Sequence, residues 1–317
     1  MKREYNSSME IIFFGTSSFA AQILFYLVQN QVNVIAVVTR PDRPTGRLLK
    51  SSFPPVKQTA IQLSLPIFQP EKASSLEFVA QLEDLQADLF IVVAYGEIVK
   101  KEVLDLPSLG CINIHASLLP KYRGAAPMQR SLINAEKETG ISIIEMTLKM
   151  DAGDIIAIQK IPVPFEMTHG ELEKELCILA QEMILQVIEQ FKNHSVKRVP
   201  QDHSQMSLAP KISAQEEEID WNLNSTLLHN LIRALSPSPG AFCMLEVKNQ
   251  KKRLKILRAF PEELLSLEKP GSFIKLGKEI GVVCGQGVLR LLEVQLEGKR
   301  AMSASDCFNG LQNPKII

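Results

Sequence analysis

Short β-branched runs alternate with amphipathic segments up to about residue 165, and five strand-like runs separated by turn residues follow residue 240, so the sequence predicts an α/β protein. The first pattern is that of βαβ units and predicts a Rossmann-like, mostly parallel sheet. The second predicts a small C-terminal OB-like β-barrel. Between them, over 193–214, hydrophobic periodicity fades and polar residues, prolines and histidines dominate, as in a linker. The expected organisation is an N-terminal domain over 1–200, a linker over 201–214 and a barrel domain over 215–317.

The expected strands of the first domain are 10–14, 33–39, 88–94, 110–115, 141–147 and 155–163. Segment 17–29 predicts a helix: Ser17 or Ser18 can cap it, and Ala21, Leu24, Phe25 and Val28 recur at helical spacing. A second helix is expected over 168–191. Thr168 and Glu171 there fit a capping box, and Leu172, Leu176, Leu179, Met183, Val187 and Phe191 form one apolar stripe. The C-terminal domain opens with a helix over 225–235, stopped by Ser-Pro-Ser-Pro-Gly, followed by strands at 241–247, 253–259, 272–276, 280–284 and 288–294. Trp221 is expected to anchor a domain interface, and His169, His194, His203 and His229 to be surface or capping residues.

The 317 residues are 45% hydrophobic and 22% charged, which excludes disorder and a fibrous class. Lys+Arg and Asp+Glu balance at 35 each, but unevenly along the chain. Residues 1–220 carry 21 basic against 27 acidic side chains, and 221–317 carry 14 against 8, so the C-terminal third suits a polyanion. No apolar run approaches the ~18–20 residues of a membrane span, and Gly15-Thr16-Ser17-Ser18 interrupts any signal-peptide core, so a cytoplasmic protein is expected. The five cysteines (111, 177, 243, 284, 307) are scattered, which predicts buried thiols and neither a disulfide framework nor a metal knuckle. One glycine in the 15–18 turn is too few for a dinucleotide pyrophosphate cradle.

The densest chemical signal is GCINIHASLLPKYRGAAP, 110–127. On a strand, Asn113 and His115 share one face, roughly 6–7 Å apart, while Ile112 and Ile114 face the core. Both polar groups then sit at the carboxyl end of a strand, where open α/β sheets place their sites. An amide and an imidazole there can reach one carbonyl oxygen, or can simply satisfy loop backbone. The letters alone leave both readings open.

The run N-x-H-x-S-L-L-P-x-Y-R-G-A-A-P resembles the signature of the folate-dependent formyltransferases. The same likeness continues in family order through IIFFGTSSFAA (11–21), VVTRPDRPTGR (37–47), VVAYGEI (92–98), MDAGDI (150–155), PKISAQEEEIDW (210–221), IRALSPSPGAF (232–242) and GKRAMSASDCF (298–308). It spans nearly the whole chain, the C-terminal domain included. The resemblance implies transfer of the formyl group of 10-formyltetrahydrofolate to the amino group of methionine esterified to initiator tRNA. No metal is expected, because the donor already carries an activated formyl group, and the chain is expected to act as a monomer. The resemblance also implies Asn113, His115 and Asp151 as catalytic residues, Asp151 being the member that orients the imidazole and holds its proton. Ser117, Leu118, Leu119 and Pro120 are implied as part of the folate site, with VVAYG as a second wall.

A basic loop, RPDRPTGRLLKSSFPPVK, follows the second strand with Arg40, Arg43, Arg47, Lys50 and Lys57 against one acid, Asp42, and its prolines argue against any regular element. The resemblance carries tRNA contact to Arg47, weakened by Leu48-Leu49 where basic residues are expected. In the C-terminal domain Lys251, Lys252 and Arg253 lead a basic run suited to phosphate contact without sequence reading. An amino-sugar-nucleotide formyltransferase is the nearest rival reading, against which the PKI…EEEIDW and GKRAMSA stretches favour tRNA. A tRNA-binding module without activity is the rival from another class. Residues 1–8 precede the usual beginning of the family, which leaves Met9 as an alternative start.

Overall fold

The computed structural model describes residues 9–45, 50–311 and 314–317, so Arg47, Leu48-Leu49 and the 1–8 segment lie outside the described residues. In chain order the elements are β1 (Ile11–Gly15), α1 (Ser18–Gln29), β2 (Val34–Val38), β3 (Arg43–Thr45), β4 (Lys50–Ser52), α2 (Pro55–Gln62), β5 (Ile67–Phe68), α3 (Leu76–Asp84), β6 (Leu89–Val93), α4 (Lys101–Leu104), β7 (Cys111–His115), α5 (Pro127–Ile133), β8 (Glu138–Glu145), β9 (Ile155–Pro162) and α6 (His169–Lys192). Then come α7 (Ser225–Leu235), β10 (Phe242–Val247), β11 (Gln250–Glu262), β12 (Phe273–Leu276), β13 (Glu279–Val283), β14 (Val288–Leu296), β15 (Met302–Ser303), α8 (Ala304–Asn309) and β16 (Lys315–Ile316). They form two compact units. The first comprises the chain up to Ala125 with Gly140–Ile161 and Glu175–Ala209, and the second comprises Ala126–Thr139, Pro162–Lys174 and the chain from Pro210.

The first unit is built on a sheet of order β5-β2-β1-β6-β7-β8-β9. Its strands from β5 to β7 pair in parallel, and β8 runs antiparallel to β7. All five residues of β1 and of β6 are buried, which requires cover on both faces and explains why these strands read as unbroken apolar runs. Helix α1 starts where Ser17 accepts from the Ala20 amide at 3.2 Å. Because β2 and β6 flank β1 on opposite sides, the sheet reverses its winding between β1 and β6. The Thr16 hydroxyl donates to the Tyr95 carbonyl at 2.7 Å there, joining the two loops at a switch point of the kind where open α/β sheets bind ligands.

Two expectations about this unit are corrected. The basic loop does hold regular structure: β3 and β4 pair antiparallel, and Pro55 starts α2, a position where its missing N–H has no helical partner to lose. The strand expected at 141–147 begins three residues earlier and ends at Glu145.

The second unit carries a near-barrel antiparallel sheet of order β12-β13-β14-β11-β10-β16, with β15 on β14. Strand β11 changes register on β14 at two places between Ile256 and Ala259, and such bulges bend a long strand. Helix α7 covers the core with Leu228, Ile232 and Leu235. Trp221 sits in this same core, at 6% exposure, and that position replaces the expected interface anchor. His229 is also not a surface residue: it is 2% exposed, stacks on Phe165 and approaches the carbonyls of Ala259 and Phe165 at 2.9 and 3.0 Å. Arg233, also buried, donates from Nη2 to the Leu132 carbonyl of α5 at 3.1 Å.

All five cysteines are buried and free, and burial pushes Cys111, Cys243 and Cys284 up to about 12. Among the described residues no helix is long and apolar enough to cross a membrane.

Candidate active site

Strand β7 alternates as its sequence requires, with Ile112 and Ile114 in the core and Asn113 half-buried. His115, its last residue, is 5% exposed. The loop between β8 and β9 brings Asp151 to both: Asn113 Nδ2 lies 3.5 Å from Asp151 Oδ1, and His115 Nδ1 lies 3.6 Å from Asp151 Oδ2. These are contacts at the outer edge of hydrogen-bond range, and they outline a small polar focus at the tip of β7. The Tyr122 carbonyl, which can only accept, sits 2.9 Å from His115 Nε2, so that nitrogen bears a proton and donates it. The Nδ1 edge is the one that faces Asp151.

Backbone geometry fixes the carboxylate. Asp151 has φ of 51°, in the left-handed region that a non-glycine residue enters at a cost of about 1 kcal/mol or more. Its Oδ2 accepts from the Gly124 amide at 2.8 Å. Gly124 itself has φ of 127°, and a β-carbon there would lie 2.7 Å from the Ala209 carbonyl oxygen. Gly153 is pressed harder: a β-carbon would lie 1.9 Å from the Glu145 carbonyl oxygen, so the MDAGD loop closes on β8 only with glycine at that point.

The Ser117–Pro120 stretch is fastened from below. Ser142, paired with His115 across the β7–β8 ladder, donates from Oγ to the Ser117 carbonyl at 2.7 Å and accepts from the Leu119 amide at 3.1 Å. Ser117 and Leu119 are buried, and the Ser117 hydroxyl donates to the Lys121 carbonyl at 2.7 Å, leaving Leu118 and Pro120 as the partly exposed members. Ser142 lies in ETGISI (138–143), a stretch that shares the family likeness, but no role attaches to it from the letters, because an inward serine on a buried strand looks like ordinary packing.

The basic residues are less available than their number implies. Arg40 Nη1 meets Glu97 Oε2 at 3.0 Å, and Lys57 Nζ meets Asp42 Oδ2 at 2.6 Å. Hydrogen bonds from Gln69 and then Lys57 hold the Asp42 carboxyl below its usual range. Arg43 is exposed, and Arg47 lies outside the described residues. In β11, Lys251 and Arg253 are exposed and Lys252 is half-buried. The Arg253 guanidinium covers the Phe242 ring at 4.0 Å, whereas Arg258 is engaged by Glu171, with Glu293 at 3.9 Å. Among the described residues no group of His, Cys, Asp and Glu could hold a metal ion.

Sequence reasoning missed a third set of residues. Arg123 Nη2 donates to Gln201 Oε1 at 2.6 Å and lies 2.8 Å from His203 Nδ1, and Gln201 Nε2 donates to the carbonyls of Asp151 and Gly153 at 2.9 and 2.7 Å. Ser207 joins them, accepting from the Tyr122 amide at 2.9 Å through its hydroxyl.

The family model described as formyl transferase matches residues 9–188, and that described as formyl transferase, C-terminal domain, matches 211–312. The methionyl-tRNA formyltransferase of Protochlamydia amoebophila is 47% identical, over 98% of both chains. Those of Dictyoglomus turgidum (42%, over 95% of this chain and 96% of that one) and Chlamydia muridarum (41%, over 96% of both) are similar as well. Among solved structures, HypX from Aquifex aeolicus with tetrahydrofolic acid aligns at a TM-score of 0.65 and 18% identity over 95% of this chain and 47% of that one. An N-formyltransferase from Helicobacter canadensis, with folinic acid and dTDP-3-aminofucose, aligns at 0.65 and 18% over 89% and 99%, and both share the fold. With full-length relatives at this identity and both family models matched, the chain belongs to the methionyl-tRNA formyltransferase family of formyl transferases.

Proposed function

We propose that this chain transfers the formyl group of 10-formyltetrahydrofolate to the amino group of methionyl initiator tRNA in the cytoplasm, as a monomer. The observation that carries the reading is the approach of Asp151 to both Asn113 and His115, at 3.5 and 3.6 Å, in a chain of this family. The Asn113 NH2, and an imidazole that carries a proton on Nδ1 as well as on Nε2, are the donors that suit a carbonyl oxygen on which negative charge develops. A carboxylate facing both suits the proton that the attacking amine must lose. In the reaction the amine nitrogen bonds to the formyl carbon, the bond from that carbon to the folate nitrogen breaks, and the amine's proton ends on that nitrogen. An α-amino group titrates near roughly 7.7–8.0, so a neutral nucleophile is available near neutral pH and no strong base is needed.

The folate fits the same strand tips. Its flat ring system suits the segment from Ser117 to Pro120 and the Ala94–Gly96 turn at the winding reversal, with backbone groups supplying polar contacts. Arg47, Lys251, Lys252 and Arg253 are the proposed phosphate contacts for tRNA. In this reading residues 1–200 carry the chemistry, 215–317 help to hold tRNA, and 201–214 connect them.

The test supplies 10-formyltetrahydrofolate with either methionyl initiator tRNA or an amino sugar nucleotide. Formyl-methionyl-tRNA as the product is expected. Formylation of the sugar nucleotide in its place overturns the proposal, and sedimentation at twice the chain mass overturns the monomer.

A further inference from the structure

The segment that reads as a linker holds the site together from behind. His115 is clasped on two sides, by the Tyr122 carbonyl at Nε2 and by Asp151 at Nδ1, and these partners belong to segments of chain far apart in sequence. Gln201, 7% exposed, spans both segments. Its Nε2 donates to the Asp151 and Gly153 carbonyls, and its Oε1 accepts from Arg123, the residue between Tyr122 and Gly124. The orientation of the amide is unambiguous, because a flip would set its oxygen against two carbonyls and its NH2 against a guanidinium that can only donate. Around it, the Arg123 amide donates to the Ser207 carbonyl at 2.9 Å, and the Ala209 amide donates to the Arg123 carbonyl at 2.7 Å.

We propose that Gln201 is a positioning residue for Asp151: one buried amide locks the left-handed Asp151 backbone and ties it to the 122–124 segment, setting the distance between carboxylate and imidazole. This positioning role rests on the proposed catalytic role of Asp151. A strained residue keeps its geometry only where its surroundings over-determine it, and here the carbonyl of Asp151 is held by Gln201 and its carboxylate by Gly124. Misplacement of a reacting group by about 1 Å is enough to lower turnover by up to ~100-fold.

Gln201→Met keeps the volume and removes every hydrogen bond. Turnover is expected to fall about tenfold or more, with KM for folate and for tRNA within about twofold of the parent. In an Asp151→Asn background the same change should add less than about a twofold loss, because residues acting through one another are not additive. Parental turnover in Gln201→Met, a loss confined to KM, or the full additional loss in the Asp151→Asn background each overturns the proposal. Should Gln201→Met lower the melting temperature markedly, Gln201→Glu decides. It keeps the acceptor for Arg123 and opposes two carbonyls with an oxygen, so the same drop in turnover is expected, and parental turnover overturns the idea. Absence of formyl transfer in the parent protein instead defeats the catalytic reading itself, which separates the two failures.

Discussion

The tip of β7 and the hairpin of β10 and β11 use polar residues in opposite ways. At β7, Asn113, His115 and Asp151 are buried or half-buried, and their partners are fixed: Asn113 meets Asp151, the Tyr122 carbonyl holds His115, and Gly124 and Gln201 hold Asp151. On the hairpin, Lys251 and Arg253 stand exposed on flexible stems, and the fixed contact is the stacking of Arg253 on Phe242. A reacting carbonyl demands placement to a fraction of an ångström, and a phosphate backbone needs only positive charge nearby. The same difference in demand sets which substitutions matter.

The largest effect is expected at β7. His115→Ala or Asp151→Ala should lower kcat by about 100- to 1,000-fold, while far-ultraviolet circular dichroism shows each variant still folded at the assay temperature. Single-turnover formylation with saturating substrates measures this. A loss of tenfold or less in both variants would break the contrast, because the buried cluster would then be contributing no more than a surface charge.

A smaller, differently shaped effect is expected on the hairpin. Replacing Lys251 and Arg253 together by alanine should raise KM for tRNA several-fold and leave kcat unchanged. The dependence of log KM on log salt should flatten by about one unit for each phosphate that the variant no longer neutralises. An unchanged salt slope removes this hairpin from the tRNA surface. Arg258→Ala sharpens the comparison: with its guanidinium already engaged by Glu171, it should leave the salt slope nearly unaltered.

The two regions also differ in how far the sequence discloses them. Asn113 and His115 are visible because a strand repeats every two residues and the polar pair falls on one face. The basic hairpin is visible because charge needs no partner to be recognised. Asp151 lies in an aperiodic loop, and only its likeness to a family motif points to it. Gln201 gives no signal at all, since its task exists only after the chain folds back onto a segment nearly eighty positions earlier, to reach Arg123. The fold follows the same rule. Strands β1, β2, β6 and β7 announce themselves as apolar runs, whereas α2 hides behind prolines that serve as its start. The packing of Ala126–Thr139 with the second unit is a long-range association that no local pattern encodes.

Glu216 supplies the smallest test, because in the second unit it is a surface charge held nearly as firmly as a buried one. Arg130 Nη1 and Nη2 reach its two oxygens at 2.5 and 3.1 Å, and the Ser213 amide donates at 2.9 Å. The Arg130 hydrogen bond first, and the Ser213 amide after it, lower its carboxyl from 4.5 to about 2. A carboxylate with a depressed folded-state value stabilises the fold above its unfolded value, and that contribution is lost as pH falls through the folded one. Glu216→Gln should therefore destabilise the protein at pH 7, and the gap from the parent should narrow between pH 4.5 and 2. The size is modest, about 0–1 kcal/mol, because the pair is partly solvated. Urea unfolding of both proteins across that range measures it. A gap that stays constant with pH would mean that Glu216 acts through packing alone, and fixed geometry at this surface would then carry no electrostatic stabilisation.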